Sequence, residues 1–289
     1  MDLSRVLTVV LAAGSLLMRA PATSAQAEQS ASRKAELAED FNDPLTTLPQ
    51  LFLQYAYTPS NYGTDAETNR VIARLIVPRI PRFSLFPFVQ LIRPTLSVVT
   101  VPEGRGSATR TEFGDMQLFD FLVIPWPSRH SGLLMAFGPV FVFPTATHET
   151  AGQNAWQAGP GFAAIYKGIP GVLLGFLLQN PISFAYTESN TRPLSTLVVQ
   201  PILLKHLWRG LYVKSADASW TFGWHEDAAT TLPLSLGLGY VIPREGSAPL
   251  NLFVSGEWMA YRHDAPVAPE VTVRFGLTVA FPNLSGWTW

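Results

Sequence analysis

The stretch that decides the fold is Val271-Thr272-Val273-Arg274-Phe275-Gly276-Leu277-Thr278-Val279-Ala280-Phe281, near the end of the chain. Apolar side chains occupy every odd position from 271 to 281, and the residues between them are small or polar. Successive side chains of a β-strand point to opposite faces, so this alternation predicts a strand with one apolar face. The stretch from Leu232 to Ile242 repeats the pattern, with an unbroken apolar face opposite Ser235, Gly237 and Gly239.

The composition indicates a membrane environment. Of the 289 residues, 47% are hydrophobic and only 14% are charged, and the mean hydropathy is +0.18. Soluble domains carry about 25% charged residues. After the N-terminus, however, no apolar run reaches the roughly 18 residues that a spanning helix needs. A closed β-barrel is the main remaining way to satisfy the backbone inside a bilayer.

We therefore predict an all-β fold, a transmembrane up-and-down antiparallel β-barrel with about 12 strands, 10 to 14 being allowed. The predicted strands are roughly 51–58, 70–77, 89–100, 112–124, 133–143, 155–167, 172–186, 194–205, 211–224, 232–242, 250–261 and 270–281. Many of them approach the 9–11 residues that a tilted strand needs to cross a bilayer. Two resist a facing assignment: in 113–124, Asp115 and Asp120 have opposite parity, and in 195–205, Val198 shares the side of Gln200.

The chain divides into three parts. Residues 1–27 have the features of a secretory signal peptide, with Arg5 before an apolar stretch and Ala25-Gln26-Ala27 as the cleavage pattern. The mature chain then starts at Glu28. Residues 28–48 are predicted to be a lead segment in the periplasm, with a short helix from Ser30 to Phe41. Residues 49–289 form the barrel, which we expect in the outer membrane of a Gram-negative cell.

The alternation also predicts which side chains face the barrel lumen. The polar residues expected to line it are Gln54, Arg74, Arg93, Gln157, Gln179, Glu257 and Arg274. Arginine outnumbers glutamate among them, which favours anionic solutes. Alternatively, these charges pair with each other, as Glu257 with Arg274 on the next strand, because buried charges need partners. Aromatic residues near strand ends are expected to form interfacial girdles: Trp126, Trp156, Trp208, Trp224, Tyr57, Tyr166, Tyr186, Tyr212 and Tyr240.

The last strand carries a candidate assembly signal. Residues Arg274 to Phe281 follow a polar-x-Gly-x-x-apolar-x-apolar pattern, in which Gly276, Val279 and Phe281 hold the defining positions. The pattern resembles the signal by which outer-membrane barrels are recognised for insertion. It implies the outer-membrane assembly machinery and membrane lipids as partners. Eight residues follow, ending in Trp289, so the signal is either 274–281 or the extreme C-terminus.

Several short motifs resemble one bacterial family. They are Asn42-Asp43-Pro44-Leu45, the run from Phe137 to Thr147 (FGPVFVFPTAT), Trp156-Gln157-Ala158-Gly159-Pro160, Gln179-Asn180-Pro181-Ile182-Ser183-Phe184, Gln200-Pro201-Ile202-Leu203 and Phe281-Pro282. Together they are similar to outer-membrane barrels grouped with the phenol-degradation meta-pathway proteins, which often carry the label "neuromedin U". The resemblance covers roughly 42–282. It implies an outer-membrane barrel that passes small, often apolar or aromatic, molecules, and it carries over no site residues.

Three functions remain open at this level: a channel or uptake barrel for an unidentified small solute, a lipid-modifying enzyme, and a structural barrel whose loops bind a partner. The enzyme needs a nucleophilic Ser near a His base. Acids flank His225 and His263, but solvated loop histidines are the simpler interpretation, and Ser255 falls in mid-strand. We therefore expect no enzyme, no catalytic or metal site and no cofactor. The net charge of −1 argues against nucleic acid, and the absence of Cys excludes thiolate chemistry.

Overall fold

The structure is a computed structural model of the chain, and it describes residues 24–79, 89–124, 132–187, 193–215, 217–224, 229–244 and 247–282. Most of the predicted signal peptide therefore lies outside the described residues, as do Trp126, His225 and Trp289. Within the described part, no helix is both long and apolar enough to cross a membrane.

One helix precedes a series of strands. The elements are α1 (Ser24–Asn42), β1 (Gln50–Tyr62), β2 (Thr68–Arg79), β3 (Val89–Pro102), β4 (Thr109–Phe113), β5 (Met116–Ile124), β6 (Leu133–Phe143), β7 (Ala155–Ile169), β8 (Val172–Gln179), β9 (Ile182–Tyr186), β10 (Thr196–Trp208), β11 (Leu211–Lys214), β12 (Trp220–Gly223), β13 (Thr230–Ile242), β14 (Leu250–His263) and β15 (Ala268–Ala280). A short 3-10 helix, Glu149–Ala151, lies in the loop between β6 and β7.

The strands form one antiparallel sheet that closes on itself. The long strands follow one another around the barrel in sequence order, and β15 pairs with β1 from Gln50↔Ala280 to Tyr57↔Val273. We call each strand position around the barrel wall a stave. Three staves are interrupted, and each consists of two shorter strands: β4 with β5, β8 with β9, and β11 with β12. Counting each interrupted stave once gives the 12-strand antiparallel barrel predicted from the sequence, which is thereby confirmed.

The distribution of side chains is inverted relative to a soluble protein. Large apolar residues such as Leu75, Leu96 and Phe275 are exposed on the outside, whereas Gln54 and Asn251 are buried inside. The described strands pair around the whole circumference of the barrel, so neighbouring strands satisfy most of the backbone hydrogen-bonding groups. An apolar exterior on a closed barrel is the arrangement that a bilayer requires.

Helix α1 belongs to the lead segment that was expected to lie in the periplasm ahead of the barrel, but its position is different. Its second half enters the barrel, where Ala38, Phe41 and the following Leu45 are buried against inward residues of the strands. Lys167 binds this segment through its Nζ atom, which lies 2.5 Å from Asp43 Oδ2. Packing inside the barrel removes the apolar side chains of α1 from water, which is the physical reason for the difference. We call this side of the barrel the helix end.

The opposite side is the loop end. Its longer connections are 63–67, 103–108, 144–154 and 264–267, whereas the turns at 170–171 and 209–210 on the helix end are tight. The loops contact each other, since Thr64 Oγ1 donates to the carbonyls of Gly104 and Gly106 at 3.0 Å each. Gly63, at φ +74°, lies so close to the Pro266 carbonyl that any Cβ would collide with it.

In the stave predicted at 211–224, the predicted outward position of one side chain is wrong. Tyr212 was expected in an aromatic girdle, but its side chain is fully buried, and its hydroxyl donates to Asn251 Oδ1 at 2.7 Å. The strand is interrupted between Lys214, where β11 ends, and Trp220, where β12 begins, and the alternation restarts on the other face in β12. The girdle residues Trp156, Tyr166, Trp208, Trp224 and Tyr240 are exposed, as expected.

The two strands that resisted a facing assignment are also explained. The stave at 113–124 breaks at Gly114-Asp115, and Asp115 there accepts the backbone N–H of Gln153 at 2.6 Å. Asp120 lies on the face opposite the buried Phe119 and Phe121 and accepts from Gln90 Nε2 at 2.6 Å. In β10 the inward side is the even one, because Leu204 is buried and Leu203 is exposed.

Candidate functional site

The register of β14, β15, β1, β2 and β3 stacks their inward residues in layers. One layer consists of Ser255, Arg274, Ala56, Arg70 and Val99, which are consecutive partners across the five strands. The next layer toward the helix end contains Phe253, Gly276, Gln54, Ile72 and Ser97. Such layers follow from the two-residue repeat of a strand. They place two of the predicted lumen residues, Gln54 and Arg274, with Arg70 in addition, on one wall.

Glu257 and Arg274 form an ion pair on adjacent strands. Arg274 Nη2 lies 2.7 Å from Glu257 Oε1, and the side chains are 17% and 9% exposed. Arg274 Nη1 also donates to the backbone carbonyl of Asp217 at 3.4 Å. This is the pairing that the sequence offered as an alternative to a free ring of charge, and it neutralises both groups.

Arg70 lies beside this pair without a partner of its own. The register places Arg70 and Arg274 on either side of Ala56, whose methyl group leaves a notch between the two guanidinium groups. Among the described residues, no carboxylate lies within 4.0 Å of Arg70. Its side chain lines the lumen and remains accessible from it.

Arg74 and Arg93 continue this basic wall toward the helix end. Arg74 Nε donates to Thr95 Oγ1 at 3.2 Å, and its guanidinium carbon lies 5.1 Å from the ring centre of Phe52. Arg93 stacks on Phe119 at 4.2 Å and is almost completely buried. Cation–π contacts of this kind hold a guanidinium in place without neutralising its charge.

Asp217 faces the basic wall from the break between β11 and β12. Its carboxylate accepts from Gln54 Nε2 at 3.0 Å and from Gln200 Nε2 at 3.3 Å, and it lies 3.9 Å from Lys214 Nζ. The segment is tied to β10, because Ser215 N donates to the Leu203 carbonyl and Ser215 Oγ to that of Pro201.

Sequence reasoning missed Asp217 and Lys214. Lys214 shares the parity of Tyr212, so a correct facing of Tyr212 would have placed Lys214 inward. Asp217 lies inside the break itself, where alternation gives no signal.

The remaining two predicted lumen residues lie elsewhere in the barrel. Gln157 is buried and its amide donates to the side chain of Gln153, whereas Gln179 pairs with Gly161 in the sheet. That half of the barrel is filled by a core cluster that includes Phe121, Val140, Ile165, Leu173 and Leu177. The structure therefore groups Gln54, Arg74, Arg93, Glu257 and Arg274 in one open half and separates Gln157 and Gln179 from them.

The lumen of the open half contains a series of cavities. The inner cavity, about 70 Å³, lies between α1 and the Arg74–Asp217 level. The middle cavity, about 360 Å³, is bordered by Arg70, Arg274 and Glu257. The outer cavity, about 580 Å³, lies under the loops. One water molecule takes up about 30 Å³ in the liquid, so the inner cavity, at the helix end, has room for only a few water molecules.

The residues of the candidate assembly signal have structural surroundings of their own. A Cβ atom on Gly276 would lie 2.0 Å from the Phe253 ring, so the ring requires glycine there. Val279 belongs to the outward side of β15, and the Phe281 backbone N–H donates to the Pro49 carbonyl at 2.9 Å. The recognition role of Gly276, Val279 and Phe281 stays a prediction.

The described histidines have local partners. His148 Nδ1 contacts Thr150 Oγ1 at 3.0 Å, His206 Nε2 accepts the Gly210 N–H at 3.2 Å, and His263 pairs with Asp264 at 3.0 Å. Ser255 Oγ is buried without a hydrogen-bond partner in the described part of the chain. No described His therefore activates Ser255.

Comparison with known proteins supports the fold. Neither a protein-family model nor a curated protein matches this sequence. Among solved structures, the COG4313 outer membrane channel from Pseudomonas putida F1 is similar with a TM-score of 0.53 and 11% identity, covering 83% of this chain and 98% of that one. The KdgM porin gives a TM-score of 0.44 and 9% identity, covering 80% and 99%. The chain thus has the fold of an outer-membrane β-barrel.

Proposed function

We propose that the protein is an outer-membrane channel for small solutes, with a preference for anions. The observation that carries the proposal is the charge of the lumen. Apart from Asp43, which pairs with Lys167, the inner and middle cavities are bordered by five cationic side chains and two carboxylates. The cations are Arg70, Arg74, Arg93, Lys214 and Arg274, and the carboxylates are Asp217 and Glu257.

An excess of fixed positive charge concentrates anions in a narrow pore and repels cations. The low-dielectric wall of the barrel strengthens this effect, because field lines are confined to the lumen. The likeness to the Pseudomonas channel supports the barrel fold on which the proposal rests. The resemblance to the phenol-degradation meta-pathway group remains a prediction of the sequence.

Helix α1 sets the size limit of the path. With the helix in place, the inner cavity admits water and small ions only, so a larger solute passes when the helix end of the barrel opens. We propose that the solute enters at the loop end and that α1 controls its exit.

The test is conductance of the mature chain, starting at Glu28, in planar bilayers under a salt gradient. The expected result is discrete current steps and a reversal potential of the sign for anion preference. Arg74→Gln should reduce the anion preference. The matched control is Arg110→Gln, in an exposed hairpin where Arg110 pairs with Glu103 at 2.8 Å. Cation preference, or no effect of Arg74→Gln, would contradict the proposal.

A further inference from the structure

The middle and outer cavities meet near the loop end of the barrel. Val101, Pro102 and Val267 border both cavities, so the two spaces are continuous. The outer cavity is completed by Pro266, Gly63, Gly104, Thr150 and Arg105. Its inner surface is therefore largely aliphatic.

The middle cavity has the opposite character. The notch beside Ala56 presents the guanidinium groups of Arg70 and Arg274. Hydroxyl and amide groups of Thr58, Asn61, Thr68 and Thr272 border the same cavity. Thr58 and Thr272 are hydrogen-bonded to each other at 2.8 Å, and Asn61 Nδ2 donates to Thr68 Oγ1 at 3.2 Å, so these polar groups hold each other in place.

The apolar and cationic surfaces are separated by a short distance along the barrel. Val99 is the partner of Arg70 on β3, and Val101 lies two residues nearer the loop end. Two residues of a strand span about 7 Å, which is the length of a short alkyl chain. A molecule with a carboxylate at one end and a small apolar body therefore matches both surfaces at once.

We infer that the two cavities bind a small amphipathic carboxylate, with its carboxylate in the Arg70–Arg274 notch and its apolar part against Val101, Pro102 and Val267. Arg70 supplies the charge, because Arg274 is already neutralised by Glu257. Guanidinium groups favour carboxylates through paired N–H donors in one plane. This inference rests on the proposed function, since the solute reaches the site through the lumen.

The site is tested by calorimetric titration of the mature chain, refolded in detergent micelles, with hexanoate, acetate, hexanol and inorganic phosphate. Titrations into protein-free micelles are subtracted. We expect saturable binding of hexanoate, with affinity rising about two- to fourfold per methylene from acetate. Hexanol and phosphate should bind at least tenfold more weakly than hexanoate, because hexanol lacks the negative charge and phosphate lacks the apolar chain.

Three variants separate the two surfaces. Arg70→Gln should weaken hexanoate about tenfold, and Arg70→Lys should weaken it less, because the charge remains while the paired donors are lost. Val267→Asn should weaken hexanoate but leave acetate unchanged. Arg110→Gln, outside both cavities, is the control that should bind like the wild type. Each preparation is first shown to be folded by its heat-dependent mobility on a gel.

The outcomes distinguish this inference from the proposed function. Conductance is measured on the same preparations. A conducting wild type without saturable hexanoate binding, or with hexanoate binding that is unchanged in Arg70→Gln, overturns the carboxylate site and leaves the channel. Arg70-dependent binding in a barrel that does not conduct supports the site and overturns the channel.

Discussion

Arg274 and Glu257 show how charge is accommodated inside this barrel. The two groups meet at 2.7 Å in a wall that is open to water on only one side. Removing one member leaves the other without compensation, and such losses typically cost about 3–5 kcal/mol in a protein interior. Arg70, in contrast, retains its charge by facing the lumen.

The first prediction concerns this pair. Glu257→Gln should lower the free energy of unfolding by about 3 kcal/mol, because Arg274 is then left charged and unpaired. The double variant Glu257→Gln with Arg274→Gln should recover most of the loss, since neither position is then charged. Urea unfolding in micelles measures both. A single variant as stable as the wild type would show that lumen water already compensates Arg274.

The second prediction concerns the two faces of β2. Leu75 faces outward and is 45% exposed, whereas Ile72 borders the middle cavity three residues away. Leu75→Asp places a carboxylate against lipid and should cost up to about 2 kcal/mol, impairing membrane assembly. Ile72→Asp places it in the lumen and should assemble normally. The measurement is the amount of each variant in membrane fractions, and equal amounts would contradict the assigned faces.

Residue parity could be derived from the sequence wherever a strand is continuous. Arg74 and Arg274 follow the parity of their strands, and the structure places both on the inward side. Asp217 could not be derived, because it lies in the interruption between β11 and β12, where one alternation ends and another begins. Gly276 shows a second limit of sequence-based prediction. Alternation predicts that position 276 faces inward, but it does not predict the Phe253 ring on the next strand, which is the reason that the residue is glycine.

At the scale of elements, α1 is the part that sequence reasoning described incompletely. The helix was predicted from Ser30 to Phe41, and it extends over Ser24–Asn42. Its position inside the barrel could not be predicted, because contacts such as Lys167–Asp43 join residues far apart in the chain. The local sequence pattern predicts the helix, but its packing position depends on the closed barrel.

The third prediction concerns removal of this helix. A mature chain without residues 28–42 should conduct severalfold better than the intact one, because the inner cavity then opens toward the helix end. Single-channel recordings measure the change. Glu36→Gln, on the exposed side of α1, should leave conductance unaltered. Unchanged conductance in the deletion would place the narrowest point elsewhere.

The fourth prediction concerns pH and Glu39. Burial raises the pKa of Glu39, while Lys167 opposes the shift and Asp40 and Asp43 add to it. A raised pKa means that the protonated form stabilises the docked helix. That stabilisation is complete below the ordinary value of 4.5 and is lost as pH rises through the raised value.

Conductance should therefore fall as the pH is lowered through the raised pKa of Glu39 toward 4.5, because α1 docks more tightly while most Asp side chains are still ionised. Glu39→Gln should reduce this change, because the residue no longer titrates. A pH response of the same size in Glu39→Gln and the wild type would assign it to another group.

At the scale of the whole molecule, the strand number and closure were the most predictable features. Repeated two-residue alternation over lengths that match a bilayer leaves little choice of architecture for a chain with 14% charged residues. The three interrupted staves were not predicted, because the interruptions at Gly114, at Pro181 and between β11 and β12 divide a strand without ending its course across the barrel. Each interruption is bridged by neighbouring strands, so the barrel stays closed.

The fifth prediction tests closure. The chain contains no Cys, so an introduced pair is the only disulfide that it can form. Leu53 and Leu277 are direct partners across β1 and β15, and antiparallel partners have Cα atoms within disulfide range. Leu53→Cys with Leu277→Cys should form a disulfide in the folded protein, visible as a mobility shift on reduction. Leu53→Cys with Val254→Cys, two strands apart, should not.

The interruption between β11 and β12 has a consequence for electrical behaviour. A constriction carried on a long hinged loop can swing with the applied field, whereas Asp217 sits on a detour of a few residues. Ser215 anchors that detour to β10 by hydrogen bonds at 2.8 and 3.1 Å. We therefore expect Asp217 to keep its position when a voltage is applied. If the barrel conducts as proposed, we expect voltage-dependent closure to arise at α1 and not at Asp217, and the current through a barrel with undocked α1 to be steady and ohmic.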